Sequence, residues 1–353
     1  MTWFWLSIIA LLCWSGSDLF SKIGCRDARD KYSHLKMVMA VGVVMGLHAA
    51  YEIFVGGTVI NLDIIRTYLP VSLLYILSMA MGYVGLRYIE LSISSPICNS
   101  SGALVAVLTF LIDGIAGYSP LAIFAVVLVC VGAIGLGVVE AREDEALRIE
   151  RQKASNYKYA KSFMALAMPV AYCILDAAGT FADTRVLEIL SRTVEDYEAS
   201  ANVAYELTFL AAGVLCFIYV VLIKKDRLVP KMEGPKYLGA VCETAGQFAY
   251  IYAIADQEHV AMSAPIIASY CAASVLWSRL FLKEKLSWKH YLMIPWVVPA
   301  TPIMASFEIN ARGEKINCKN QAPVRPRPHG GFRFPLATPG FPGAPAGSSD
   351  RSE

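Results

Sequence analysis

Residues 120–139 read PLAIFAVVLVCVGAIGLGVV, a run of twenty residues without a charged side chain. A helix that crosses a bilayer needs about 20 mostly apolar residues, so this run is long enough to span a membrane. The whole chain shares this character. Of its 353 residues 56% are hydrophobic and 17% charged, whereas ordinary soluble domains have roughly 45–50% and 25%. Water-soluble cores cannot bury such a surplus, and the composition therefore predicts a membrane protein.

Nine further apolar runs of similar length accompany this one. The ten predicted spans cover residues 2–21, 36–55, 68–88, 95–117, 120–139, 162–182, 202–223, 236–255, 259–281 and 289–308. The charged connection 140–161 divides them five and five, and after residue 308 frequent Pro and Gly predict a disordered tail. This tail also resembles out-of-frame translation. We expect an all-α membrane protein in four parts: 1–139, 140–161, 162–308 and 309–353.

Two blocks of the chain align without a gap. Tyr83–Ile97 (YVGLRYIELSISSPI) matches Tyr252–Ile266 (YAIADQEHVAMSAPI) at both ends, and each block opens a span at Ser-x-Pro-Ile. A weaker match sets an aromatic and an acid, four residues apart in span one, against the same pair in span six: Trp14 and Asp18, Tyr172 and Asp176. An odd number of spans per repeat makes the two halves enter the membrane from opposite sides. The matches thus predict ten transmembrane helices as two inverted five-helix repeats, typical of secondary transporters.

The layout resembles the drug/metabolite transporter superfamily, in particular its ten-span EamA-type members. The resemblance covers residues 2–308 and rests on Trp14-Ser-Gly-Ser-Asp18, the two Ser-x-Pro-Ile blocks and Phe281-Leu-Lys-Glu284-Lys-Leu-Ser. The last is similar to the family's Leu-Gly-Glu-x-Leu-Ser signature, with Lys283 in place of Gly. The resemblance implies EamA-like repeats at 1–139 and 162–308 and a carrier that works by alternating access.

Span ten departs from that pattern because it contains three prolines within eight residues: Pro295, Pro299 and Pro302. A Pro inside a helix costs roughly 3 kcal/mol. The prolines predict either a broken tenth helix or a sequence that is not authentic from about Pro295 onward.

Ionisable side chains inside spans are costly and are candidates for function. Four carboxylates are the candidates: Asp18, Asp176, Glu243 and Glu206. Glu52 lies near the end of span two and is expected to reach the interface instead. In a carrier such a group can pair with a cationic group on the solute, or take up and release a proton. A polar contact between helices is the alternative, and for Glu206 an interfacial position. Acids on several spans favour a cationic or zwitterionic solute, or proton-coupled export, over an anion.

Aromatic and proline residues supply further candidates. Four aromatic side chains are placed with the acids as solute-binding residues: Trp14, Tyr172, Tyr83 and Tyr252. Their rings could stack on an organic cation, or simply pack in the bundle and at the membrane interface. Pro96 and Pro265 open spans four and nine, where Pro suits the first turn of a helix. They are candidates for hinges between the repeats, with helix initiation as the alternative.

Other classes of function receive less support. The sequence lacks the His-Glu-x-x-His, Gly-x-Ser-x-Gly and phosphate-binding glycine motifs of enzymes, and most of its nine cysteines lie in apolar runs without zinc-like spacing. We therefore expect no enzyme activity, no metal and no cofactor. The net charge of +2 gives no field for nucleic acid. A membrane scaffold or partner-docking protein stays open as the alternative to a carrier.

The basic residues predict an orientation. Lys and Arg crowd the odd-numbered connections, whereas the alternate ones contain only Arg66, Arg185 and Arg192. The positive-inside rule then places both termini outside, although the family resemblance implies cytoplasmic termini for many members. We expect a multi-pass protein of the plasma membrane. Its partners are the bilayer and a small solute, with or without a proton, and monomer and homodimer both stay open.

Overall fold

The computed structural model describes residues 2–27, 29–113, 120–142, 146, 149–150, 163–255, 266–267 and 269–297. Regular structure in these residues is entirely helical. The α-helices are α1 (Thr2–Cys25), α2 (Ser33–Tyr51), α3 (Leu62–Gly85), α4 (Leu91–Cys98), α5 (Ser101–Asp113), α6 (Pro120–Ala141), α7 (Phe163–Leu190), α8 (Tyr197–Phe217), α9 (Pro230–Ala255), α10 (Tyr270–Trp277) and α11 (Trp288–Val297). Three π-helical segments directly extend α2, α8 and α10: Glu52–Gly56, Ile218–Ile223 and Ser278–Leu282.

Five helical segments within the described part of the chain are long and apolar enough to cross a membrane: Trp3–Cys25, Ser33–Gly56, Leu62–Gly85, Ala165–Leu190 and Tyr197–Ile223. They expose large apolar side chains, among them Leu47, Phe54 and Leu215. Helices that are apolar on their outer face as well as their inner one are typical of membrane spans. The structure therefore agrees with the predicted all-helical membrane protein.

The predicted span 95–117 is not one helix. It is divided between α4 and α5 by a turn at Asn99 and Ser100. The Asn99 side-chain amide donates a hydrogen bond to the Ser95 carbonyl oxygen (3.0 Å), and the Ser100 hydroxyl donates one to the Pro96 carbonyl oxygen (2.7 Å). Polar side chains that bind nearby backbone groups compete with helix continuation, which explains the break.

Pro96 is the sixth residue of α4 and does not open it. The helix begins at Leu91 because the carboxylate of Glu284, far along the chain, accepts hydrogen bonds from the backbone N–H groups of Leu91 and Ser92, each at 3.1 Å. A carboxylate at this position satisfies helix-terminal N–H groups and complements the helix dipole.

Helices of the two halves pack against each other in pairs. α1 packs on α9, α3 on α7, and α2 on α8, while α10 contacts α1 and α4, α5 contacts α7, and α6 contacts α11. Two glycines in these pairs lie against an aromatic ring of the partner helix. A Cβ atom at Gly246 of α9 would lie 2.5 Å from Trp14 of α1, and one at Gly82 of α3 would lie 2.8 Å from Tyr172 of α7. Each glycine therefore leaves the space that an aromatic ring of the partner helix fills.

A cluster of charged side chains joins the α1–α2 connection to α2 and α9. Lys236 donates to the Asp30 carboxylate (2.9 Å) and lies 3.2 Å from Glu233, while Lys36 lies 3.1 Å from Asp30 and 3.6 Å from Glu233. All four side chains are buried. Burial alone would raise the pKa of Asp30, but the hydrogen bond and charge of Lys236, assisted by Lys36, outweigh it and lower that pKa. We call these four residues the paired cluster.

Candidate functional site

A cavity of about 580 Å³ lies among α1, α3, α4, α7, α8, α9 and α10. Its volume is in the range of small-molecule sites, roughly 300–1,000 Å³. The described residues that line it include eight aromatic side chains and five carboxylates, and no Lys, Arg or His. The carboxylates are those of Asp18, Asp176, Asp183, Glu198 and Glu243.

Asp18 of α1 is held by two neutral hydroxyl groups. Ser95 of α4 and Ser274 of α10 each donate a hydrogen bond to the same carboxylate oxygen at 2.7 Å. The side chain itself is half-buried and lines the cavity. Two hydroxyl donors fix its orientation without neutralising its charge, so Asp18 can still receive a cation.

Asp176 and Glu243 approach the cavity from the second half of the chain. The Ser101 hydroxyl is within hydrogen-bonding reach of Asp176, and the Ser17 hydroxyl is within reach of Glu243. Both carboxylates are half-buried, and Glu243 interacts electrostatically with both Asp18 and Asp176. We call Asp18, Asp176 and Glu243 the cavity carboxylates. Their mutual repulsion in a medium of low dielectric favours a bound cation or proton.

A lysine near the cavity carboxylates binds backbone carbonyl oxygens. Lys22, one helical turn after Asp18, donates hydrogen bonds to the carbonyl oxygens of Leu86 and Ile89, just beyond α3. It is fully buried and does not appear among the residues that line the cavity.

Aromatic rings form much of the remaining wall. The Trp14 ring lies 5.2 Å from that of Tyr250 and 5.6 Å from that of Tyr270, measured between centroids. Tyr83 and Tyr172 also line the cavity. A wall of aromatic faces beside carboxylates suits an organic cation, which ring faces attract within about 6 Å.

Three polar atoms of the side chains that line the cavity have no hydrogen-bond partner in the described part of the chain. They are the Tyr83 hydroxyl oxygen, the Trp14 indole nitrogen and the Ser21 hydroxyl oxygen, all shielded from solvent. Buried polar groups are nearly always hydrogen-bonded, and an exception next to a cavity is a position that a solute can satisfy.

A further acid, Asp183, lines the cavity toward the end of α7. It accepts a hydrogen bond of 2.6 Å from the Tyr68 hydroxyl of α3. Glu198 and Asn202 of α8 line the same region, and Glu198 is exposed. These residues are not among the site residues predicted from the sequence. The signal was present in α7, where Tyr172, Asp176, Thr180, Asp183 and Leu187 recur at spacings of three and four residues and share one helix face.

Six of the predicted site residues line one cavity: Asp18, Asp176, Glu243, Trp14, Tyr172 and Tyr83. Glu206 does not. It is almost fully buried, and the His48 ring nitrogen Nδ1 lies 2.8 Å from its carboxylate. Tyr252 is half exposed, because the face of α9 that lines the cavity carries Glu243, Gln247 and Tyr250. Pro96 is not among the lining residues, and Pro265 lies outside the described residues.

In comparisons with protein families and with curated proteins, no match to this chain is found. Among the described residues, no group of three or more His, Cys, Asp and Glu side chains is arranged to hold a metal ion. The cavity and its lining therefore carry the functional argument.

Proposed function

We propose that this chain is a secondary transporter that carries a small organic solute, such as an amine or an amino acid, across the plasma membrane by alternating access. One observation carries the proposal. Four helices of transmembrane length and composition, α1, α3, α7 and α8, together with α4, α9 and α10 surround a cavity. This cavity is lined by carboxylates and aromatic rings, with no basic side chain in its described lining. Ionisable groups in such a position are expensive and typically serve a transport pathway.

The proposed architecture is ten spans as two inverted five-helix repeats of the EamA type. Exchanging the halves maps span one on six, two on seven, and three on eight. The contact of α1 with α9 then becomes that of α7 with α3, while the contact of α2 with α8 maps on itself. The aromatic–glycine contacts Trp14–Gly246 and Tyr172–Gly82 exchange in the same way. This packing supports the repeats, although Gly82 and Gly246 correspond at a different offset from the aligned blocks Tyr83–Ile97 and Tyr252–Ile266.

Solute and proton would compete for the cavity carboxylates. A cation entering the cavity pairs with Asp18, Asp176 or Glu243, and on its release a proton can take its place. Because the serine donors hold Asp18 from α4 and α10, rocking of one repeat against the other would change its hydrogen bonds as the cavity opens to the other side. The orientation follows the basic connections, with both termini outside.

The test is transport by proteoliposomes against a panel of amines, amino acids and anionic metabolites, with and without a pH gradient. We expect Asp18→Asn, Asp176→Asn and Glu243→Gln each to reduce transport at least about tenfold. Glu188→Gln, which changes an exposed glutamate of α7, serves as the matched control and keeps wild-type rates. Unchanged transport in all three variants would contradict the mechanism, and no transport of any solute by the folded wild type would favour the scaffold alternative.

A further inference from the structure

The acids that line the cavity lie at two separate levels of α7. Asp176 lies halfway along this helix, and Asp183 lies seven residues later on the same face. Seven residues are two helical turns, so the two carboxylates are separated by about 10 Å along the helix axis. We call the cavity carboxylates the inner station and Asp183 the outer station.

The wall between the two stations is aromatic. The Tyr75 hydroxyl donates to the Thr180 hydroxyl (3.2 Å), and Thr180 lies between Asp176 and Asp183 on α7. The Tyr75 ring meets that of Tyr205 edge to face, with centroids 6.0 Å apart, and both side chains line the cavity. Such a wall suits methylene groups, because aromatic rings offer apolar surface at little cost in conformational entropy.

Beside the inner station lies a hydroxyl oxygen for which the described residues supply no hydrogen-bond partner. The Tyr83 side chain is 6% exposed, and its hydroxyl oxygen has no hydrogen-bond partner among the described residues. It interacts electrostatically with Glu243 and Asp18. An ammonium group has three N–H donors. It can therefore bind this oxygen together with two carboxylates, as a group with a single donor cannot.

We propose that the cavity binds an elongated organic dication, of the α,ω-diamine or polyamine class. One ammonium lies at the inner station, the second lies at Asp183, and the methylene chain lies against Tyr75 and Tyr205. A monoamine would reach only one station, whereas a diamine of sufficient length pairs with both. This inference rests on the proposed transport function and names its substrate class.

The experiment compares diamines with monoamines in the same proteoliposomes. Competition is measured with cadaverine, spermidine, ethylenediamine and n-pentylamine against a transported amine from the panel. We expect cadaverine and spermidine to bind at least about tenfold more tightly than n-pentylamine, because their second ammonium forms an additional hydrogen bond between charged groups. Ethylenediamine, too short to reach both stations, should behave as the monoamine does.

Asp183→Asn removes the charge of the outer station and leaves the inner station unchanged. Its side-chain oxygen can still accept the Tyr68 hydrogen bond, so the fold should be retained. In this variant we expect the affinity for cadaverine to fall to within about threefold of that for n-pentylamine, and the affinity for n-pentylamine to stay unchanged. Asp176→Asn should lower the affinity for both amines, and Glu188→Gln should lower the affinity for neither of them.

The outcomes separate this inference from the proposed function. Equal affinities for cadaverine and n-pentylamine in the wild type, with transport still dependent on the inner station, would overturn the dication and leave the transporter intact. Exclusive transport of amino acids or anions would overturn the dication too. Absence of transport for every solute in the panel would overturn both.

Discussion

Buried charges are organised in opposite ways in two regions of this molecule. In the paired cluster, each acid lies within ion-pair distance of a lysine, and the side chains are almost completely buried. In the cavity, Asp18 is bound by neutral serine hydroxyls, and the three cavity carboxylates are only half-buried. In the paired cluster, lysines balance the acidic charge within the protein. The cavity carboxylates instead direct their charge toward the cavity.

The difference separates a structural role from a functional one. Removing a charge from water is costly unless a partner of opposite charge is close. The paired cluster meets this requirement, so it can hold the α1–α2 connection against α9 without a ligand. The cavity carboxylates meet it only in part, which is the expected state of a site whose missing partner arrives with the solute or as a proton.

The largest change in stability is expected in the paired cluster, where each acid lies beside a lysine. Lys236→Met removes the cation that lies between Asp30 and Glu233 and leaves their carboxylates buried. We expect the free energy of unfolding to fall by about 3–5 kcal/mol, measured by thermal unfolding in detergent. Lys231→Met, an exposed lysine of the same helix, is the control and should change stability little. Equal stability of the two variants would contradict a structural role for the cluster.

Glu206 tests the same distinction inside the bundle. It was predicted together with the cavity carboxylates, but His48 lies against it and the Asn202 amide donates to it (3.3 Å). Glu206→Leu leaves the His48 ring nitrogen and the Asn202 amide without the carboxylate that they contact. We expect a loss of about 1–3 kcal/mol of stability with transport retained. The control Glu188→Leu removes an exposed pair with Arg192 and should cost under about 1 kcal/mol. If Glu206→Leu lost transport but kept wild-type stability, Glu206 would have a functional role and not a structural one.

Sequence reasoning could find the apolar helices, because a bilayer imposes length and composition on each span separately. It could not distinguish Glu206 from Glu243, since both are single acids in apolar runs. The distinction comes from His48, 158 residues before Glu206 and on another helix. For the same reason the sequence could not distinguish Tyr252 from Tyr250: the two are only two residues apart, and helix register decides that Tyr250 lines the cavity.

The break in span four was also beyond the sequence pattern. Apolar residues lie on both sides of it, and the mean hydropathy of the span does not register that Asn99 and Ser100 bind the carbonyls of the preceding turn. Nor could composition reveal that Glu284 caps α4, because that contact joins residues from opposite halves of the chain.

Acid should weaken the paired cluster. The pKa of Asp30 is lowered in the folded state, so its contribution is complete above the unfolded value of about 3.9 and is lost as the pH falls through the folded value. For one proton the loss is at most about 1.4 kcal/mol per pH unit. Thermal unfolding of the wild type should therefore decline more steeply below about pH 4 than that of Asp30→Asn. Parallel profiles would show that Asp30 does not contribute in this way.

The smallest change in stability is expected for Tyr83→Phe, because this residue belongs to the cavity and not to the paired cluster. Its buried hydroxyl has no hydrogen-bond partner among the described residues. Tyr83→Phe therefore removes no hydrogen bond to any of them, and stability should stay within about 0.5 kcal/mol of wild type or rise. Solute binding should weaken by a few-fold, because one acceptor for the ammonium is lost while the carboxylates stay. Tyr32→Phe, outside the cavity, is the matched control and should leave binding unchanged. A clear loss of stability in Tyr83→Phe with unchanged binding would mean that this hydroxyl serves the fold, and that an unpartnered atom in the wall does not mark the site.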